Sequence, residues 1–314
     1  MVLGEMKMSK FKTLLKLMKN DPQKIGAALS DNFARTKISH VLPDGMYLKL
    51  RYKALMGKSL NLKDPKTFNE KLQWLKLYDR KIEYVQMVDK HEVKQYVSSV
   101  IGEEYLIPTL GVWKNVDDIE IDALPPQFVL KCTHDSGSVR ICRDKETFDL
   151  EEAKRYLRQK LKENLFWWGR EWPYKNVEPR IIAEKYMVDE SGKELNDYKV
   201  MCFGGVPKLI QIHRGRFGNH TQNFYDAEWN SLDILQGCPK SDEILEKPEF
   251  LEEMLKLSGQ LSAGIPQVRV DWYFAGNQLY FGELTFFDAS GFYSFEPKEW
   301  NYHIGKWIHL PKKR

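Results

Sequence analysis

Two runs of alternating side chains, Val268–Phe274 and Gln278–Leu284, are separated only by Ala275-Gly276-Asn277. So short a link, carrying glycine and asparagine, turns the chain back on itself and makes the pair an antiparallel hairpin. The same pattern occurs upstream, where Pro125-Pro126 introduces the buried-strand run Gln127–Cys132. After the turn Asp135-Ser136-Gly137, a second strand Ser138–Cys142 completes another hairpin. Further strands are expected at Arg180–Met187, Tyr198–Phe203 and Lys208–His213, with an extended entry at Leu106–Trp113. Helical spacing marks Tyr84–Ser98, Leu150–Asn164 and Leu251–Leu261, the last stopped by Gly264 and Pro266. Thr67 followed by Glu70 reads as a capping box for a helix Glu70–Tyr78. Hairpins alternating with long helices predict a mixed α/β (α+β) fold and exclude a doubly wound parallel sheet.

Composition narrows the class. Of 314 residues, 42% are hydrophobic and 29% charged, which suits a globular chain with room for two units. No apolar run reaches the ~18 residues of a membrane span, and mean hydropathy is −0.52. Four cysteines without a C-x-x-C pair are too few to staple this length, so a reduced, cytoplasmic protein is expected. The net charge of +4 is matched by residues 1–20, where Lys7, Lys10, Lys12, Lys16 and Lys19 stand against Glu5. The rest is balanced, so nucleic acid is not an expected partner. Phe11, Leu14, Leu15 and Met18 fall at helical spacing among those lysines. A solvated terminal helix and a peripheral contact with an anionic membrane both fit that pattern.

Three groups of residues carry chemistry. Arg269 and Asp271 share one face of a strand, and Glu283 across the hairpin can join them, with Thr285 two residues on. Two carboxylates beside an arginine suit Mg²⁺ and a triphosphate; a surface ion-pair ladder is the simpler alternative. Lys131 ends an apolar strand before a small loop containing Ser136 and Gly137, an arrangement that can clamp phosphates but is neither a P-loop nor a dinucleotide fingerprint. Glu184, Lys185, Tyr186 and Met187 end a strand, and Asp197-Tyr198-Lys199 follows. Such a strand end can meet an adenine edge, and the acid beyond it ribose hydroxyls. His134 with Cys132 and Cys142 has the wrong spacing and ligand number for zinc.

The order of these pieces resembles the ATP-grasp superfamily. Asp89-Lys90, Phe128–Lys131 with its Ser136-Gly137 loop, Ile182–Met187, Asp197-Tyr198-Lys199, Val268–Asp271 and Gly282–Thr285 follow the order of the carboxylate–amine ligases. Thr67–Trp74, Lys131–Gly137 and Arg170–Tyr174 look like the TupA-like branch, which is named for teichuronopeptide synthesis. The resemblance covers about residues 40–300. It implies an ATP-grasp fold with a basic leader (1–30), a helical N-terminal region (31–105), a hairpin-and-helix lid (106–187) and an antiparallel catalytic part (188–314). It further implies that Lys90 and Lys131 hold ATP phosphates beneath Ser136 and Gly137, with Glu184–Met187 at the adenine and Asp197 at the ribose. Asp271, Glu283 and Thr285 would bind Mg²⁺. Arg269 would stabilise the reacting groups, with Lys199 and Arg214 as further candidates for the γ-phosphate or the substrate carboxylate. Threonine at 285 departs from the family's usual asparagine, and Asp288 lies close by.

The implied activity joins a carboxylate, on a small molecule or a polysaccharide, to an amine through an acyl-phosphate. The rival is a sugar-nucleotide glycosyltransferase, although no D-x-D triplet occurs. The aromatic insert Phe166–Tyr174 fits either a sugar-stacking surface or a buried plug. His213-Arg214-Gly215-Arg216 fits either contact with an acidic acceptor or a polar strand end.

Overall fold

The computed structural model describes residues 22–188, 195–215, 220–243 and 245–313. The basic leader over residues 1–20 lies outside these. Helices Pro22–Ala34 and Asp44–Met56 come first, burying Tyr47, Leu48 and Tyr52 with Phe292. The capping box is formed as expected. Thr67 accepts from the Glu70 N–H, the Glu70 carboxylate accepts from the Thr67 N–H at 3.0 Å, and the helix runs Phe68–Tyr78.

The single helix predicted over Tyr84–Ser98 is instead two, Glu83–Val88 and Val93–Ile101. The break is made by Asp89. One of its oxygens accepts from the backbone N–H groups of His91 (2.7 Å) and Glu92 (3.0 Å), a local bond that competes with continued helix. Its other oxygen receives Arg180 and Thr133, so the break docks on the hairpin loop. The next helix stops at Lys160, short of Asn164, and the carbonyls of Lys160 and of Glu163 just beyond it lie 3.2 Å each from His134 Nε2.

Strands β1 (Thr109–Trp113), β2 (Phe128–Cys132), β3 (Arg140–Cys142) and β4 (Ile181–Lys185) form a sheet in the order β1-β4-β2-β3, with every pair antiparallel. In β2 the side chains of Phe128, Leu130 and Cys132 are buried with Leu157 of the helix Leu150–Lys160. Alternation therefore sends Lys131 to the opposite face.

Strands β5 (Asp197–Phe203), β6 (Val206–Arg214), β7 (Thr221–Tyr225), β8 (Ser231–Leu232), β9 (Val268–Ala275) and β10 (Gln278–Thr285) form the larger sheet, order β10-β9-β5-β6-β7-β8, again antiparallel. Helix Leu251–Leu261 covers one face, with Trp272 Nε1 donating to Ser258 Oγ at 2.8 Å. The turn at Gly276-Asn277 has positive φ at both residues, so the hairpin is tight. Pairing then runs evenly from Ala275↔Gln278 to Trp272↔Phe281, where a bulge at Gly282 skips one residue and sets Asp271 opposite Glu283. Without that bulge the regular count would pair Gly282 with Asp271 and turn Glu283 to the other face.

The C-terminal helix Glu299–Trp307 packs on the start of Phe68–Tyr78. A Cβ at Gly305 would come within 2.3 Å of the Lys66 carbonyl oxygen and 2.9 Å of the Phe68 nitrogen. Both obstacles are backbone, so Gly305→Ala should cost about 1–3 kcal/mol of stability or more. Urea unfolding of wild type and variant measures it.

Candidate active site

Cross-strand neighbours share a face, so β10, β9, β5 and β6 line up Glu283, Asp271, Lys199 and Gln211 in one row. Arg269 and Asp197 occupy the adjacent rows. The Arg269 guanidinium holds Asp271 with two bonds, at 2.6 and 2.8 Å. It also reaches Asp288, Thr285 Oγ1 at 3.1 Å and Glu283 at 3.5 Å. Lys199 Nζ bridges Asp271 and Asp197, the latter at 3.0 Å. Burial alone would push the Asp271 carboxyl up, but Arg269 and Lys199 outweigh it and hold the group well below the usual carboxylate range. Burial opposes the Arg269 charge, yet Asp271 and Asp288 keep it charged.

The helix Phe68–Tyr78 steadies the turn that carries Asp288. Asn69, Gln73 and Lys76, at helical spacing and buried, donate to carbonyls of Gly291, Tyr293 and Ser290 at 2.7–3.2 Å. Ala289 and Ser290 have positive φ, which a non-glycine residue keeps only when its surroundings enforce it.

On the smaller sheet, Glu184 is buried between two lysines: Lys131 at 2.5 Å and Lys94 at 2.7 Å. Burial raises its pKa, and the two ammonium groups outweigh that and lower it. Lys94, which also donates to the Ile107 carbonyl at 2.6 Å, was missed by the sequence reading; with Gln95, Ser98 and Ser99 on the same helix, no local pattern singles it out. Lys90 Nζ donates to the Asp135 carbonyl, and Ser138 Oγ donates to the Asp135 carboxylate at 2.6 Å. This loop is therefore pinned at both ends, with Ser136 and Gly137 exposed at its tip. Beyond Glu184, Lys185 is exposed, and Tyr186 and Met187 are half-buried. Tyr174 lies between the clusters: burial, then Glu171 and Glu283, push its hydroxyl well above the ordinary value, with Asp135 adding to the effect.

Several expectations need correction. Arg214 is not in the cluster: one residue beyond His213, it takes the opposite side of β6 and pairs with Glu243 at 2.5 Å. Asp197 is buried on Lys199 rather than open to a ribose. The aromatic insert is a plug. Trp167 stacks on His40 at 3.9 Å, Trp168 meets Phe292, and buried Arg170 lies over Tyr47 while donating to the Ser39 carbonyl. Arg216 lies outside the described residues.

Mg²⁺ takes hard oxygen donors, which Asp271, Glu283, Asp288 and Thr285 supply. Among the described residues, three carboxylates, Asp271, Asp288 and half-buried Glu283, converge on Arg269, and Lys199 adds one further cation at Asp271. The set therefore fits an added cation, with Glu283 the most open of the acids.

Glu184 and Asp271 both have lowered pKa values in the fold. Their contribution to stability is complete above the unfolded carboxylate range of about pH 4 and is lost as pH falls through the folded values. Glu184→Gln should lower stability at pH 7 by about 3 kcal/mol and flatten the acid limb of a urea-midpoint series from pH 7 downward.

Comparison with known proteins places the chain. The family described as TupA-like ATPgrasp matches residues 70–309. No curated protein matches. Among solved structures, a D-alanine–D-alanine ligase from Bacillus anthracis complexed with ATP is 17% identical, with a TM-score of 0.38 over 63% of this chain and 53% of that one. The Helicobacter pylori D-alanine–D-alanine ligase is 14% identical, with a TM-score of 0.41 over 77% and 69%. The ATP-grasp ligase PsnB, complexed with minimal precursor, Mg and ADP, is 10% identical, with a TM-score of 0.38 over 69% and 57%. The chain spans about half the length of the first of these ligases. The family match takes in all ten strands, the lysine loop and the carboxylate hairpin: the chain belongs to the TupA-like ATP-grasp family.

Proposed function

We propose that this chain is an ATP- and Mg²⁺-dependent carboxylate–amine ligase of bacterial surface-polysaccharide synthesis, joining an amino acid or small amine to a uronic-acid-type carboxylate. The observation that carries the reading is the contact of Lys199 with Asp271 inside a row that ends in Glu283. Here Lys199 compensates Asp271 as a metal ion would. With nucleotide present, Lys199 would turn to the γ-phosphate, and Asp271, Glu283 and Thr285 would hold Mg²⁺, which would supply charge neutralisation. Lys90 and Lys131 take the other phosphates beneath the Asp135–Ser138 loop, and Glu184–Met187 lies on the adenine side. The lid is residues 106–187 and the catalytic part residues 188–314.

The substrate carboxylate attacks the γ-phosphorus and ADP departs; the amine then attacks the acyl carbon and phosphate leaves. Arg269 faces the charge that develops in both steps. Positioning and charge neutralisation supply most of such a barrier, so a nucleophilic side chain is not required. Residues 1–20 provide a peripheral membrane contact that small soluble substrates do not need.

A thermal-shift series with Mg-ATP, Mg-ADP and UDP-sugars tests the reading. A ligand at 100 times its Kd adds about 2.7 kcal/mol, a rise of a few degrees for a chain of this size. Stabilisation by Mg-ATP but not by UDP-sugars is expected; a shift with UDP-sugars and none with Mg-ATP would mean a glycosyltransferase. Lys131→Ala and Asp271→Asn should abolish ADP release, assayed below each variant's own Tm because the second strips a partner from Arg269 and Lys199. Glu283→Gln should weaken Mg-ATP stabilisation while leaving circular dichroism unchanged, because it removes the most open carboxylate of the row. Unaltered ADP release in both Lys131→Ala and Asp271→Asn would refute the assignment.

A further inference from the structure

Beyond the acidic row, a second donor set stands on the same face of the larger sheet. His213 of β6 is the cross-strand partner of Asp197, and His220 immediately precedes β7. Cys238 arrives on the loop after β8. Among the described residues, His213, His220 and Cys238 are the one group of three such side chains whose ligand atoms all lie within 4.8 Å of one another. His213 Nδ1 and His220 Nε2 are 2.9 Å apart.

We propose that these three residues bind a zinc-class divalent ion, with the fourth position left to an exchangeable ligand. Two imidazole nitrogens and a thiolate are the soft donor set that selects zinc over magnesium, and three protein ligands leave a tetrahedral ion one place open. Zn–N of about 2.0–2.1 Å and Zn–S of about 2.3 Å set such atoms roughly 3.3–3.6 Å apart, so only small side-chain shifts are needed.

The surroundings are built for it. Gln222, buried and paired in register with His213, has its amide 3.2 Å from His213 Nε2 and 3.4 Å from Cys238 Sγ. An amide fills the same space in either of its two orientations. Turned over, its oxygen accepts from His213 Nε2–H, leaving Nδ1 for the ion, and its NH₂ donates to the Cys238 thiolate. That is the outer-shell pattern of a metal-bound histidine. The Gln222 backbone N–H donates to the Pro239 carbonyl at 2.9 Å, and the turn at Gly237 has positive φ, so the cysteine loop is fixed to β7. The other three cysteines are buried. The site stands independently of the ligase reading.

The test is titration of the chelator-treated full chain with Zn²⁺ and Co²⁺. One equivalent should bind, Co²⁺ should show a thiolate charge-transfer band, and excess Mg²⁺ should not compete. Cys238→Ser should abolish the band, and the double variant His213→Asn/His220→Asn should lose stoichiometric binding. Gln222→Leu should weaken binding by about 10–100-fold, as loss of an outer-shell partner does. Absence of stoichiometric binding by the wild type, or an unchanged band in Cys238→Ser, overturns the proposal. Should that variant not fold, alkylation of wild-type Cys238 followed by mass spectrometry decides: protection by Zn²⁺ supports the site, and equal labelling with and without Zn²⁺ overturns it.

Discussion

The candidate centre depends on how buried charge is balanced around Arg269. An isolated ion taken out of water is costly, and truncating one partner of a buried pair leaves the other uncompensated. Here Asp271 shares its oxygens between Arg269 and Lys199, while Arg269 also holds Asp288. The charges of Asp271 and Arg269 are thus held by their neighbours, and strand alternation collects Arg269, Asp271 and Lys199 on one face. Trp272 and Val270, the alternating neighbours, close the apolar side under the helix Leu251–Leu261.

The helical N-terminal region holds this arrangement together. The helix Phe68–Tyr78 would usually be expected to bury an apolar stripe, and it does bury Phe68, Leu72 and Leu75. It also buries Asn69, Gln73 and Lys76, whose donors end on the backbone of the strained turn bearing Asp288. Lys76 also donates to the Gly169 carbonyl at 2.7 Å, joining the aromatic plug to the same turn. Burial lowers the Lys76 pKa, and the nearby Glu171 offsets part of that effect. Helix, plug and carboxylate turn therefore form one polar network.

The two lysine-bearing loops show the same economy. Lys131 rests on Glu184 and Lys90 on the Asp135 carbonyl, so both cations have partners before any anion arrives. A phosphate taken up there replaces existing contacts instead of meeting bare charge. Arg180 and Thr133 lock Asp89 beneath that loop, which explains why the helix breaks at this point and not elsewhere.

Local rules alone determined most of the elements. Turn chemistry fixed the hairpins, the Thr67–Glu70 pair fixed a helix start, and alternation placed Arg269 with Asp271, because each of these depends on residues a few positions apart. Only the tertiary structure decided the rest. The bulge at Gly282 carries Glu283 and Thr285 onto the working face, and a regular hairpin count would have turned them away. Asp89 ends a helix through local bonds from His91 and Glu92, and partners 44 and 91 residues distant anchor that break on the hairpin loop. Arg214 falls on the wrong side of β6, and His213, His220 and Cys238 meet only because β6, β7 and the loop after β8 are brought together. A side chain's face and the partners of its charge follow from long-range pairing and burial, which local periodicity does not encode.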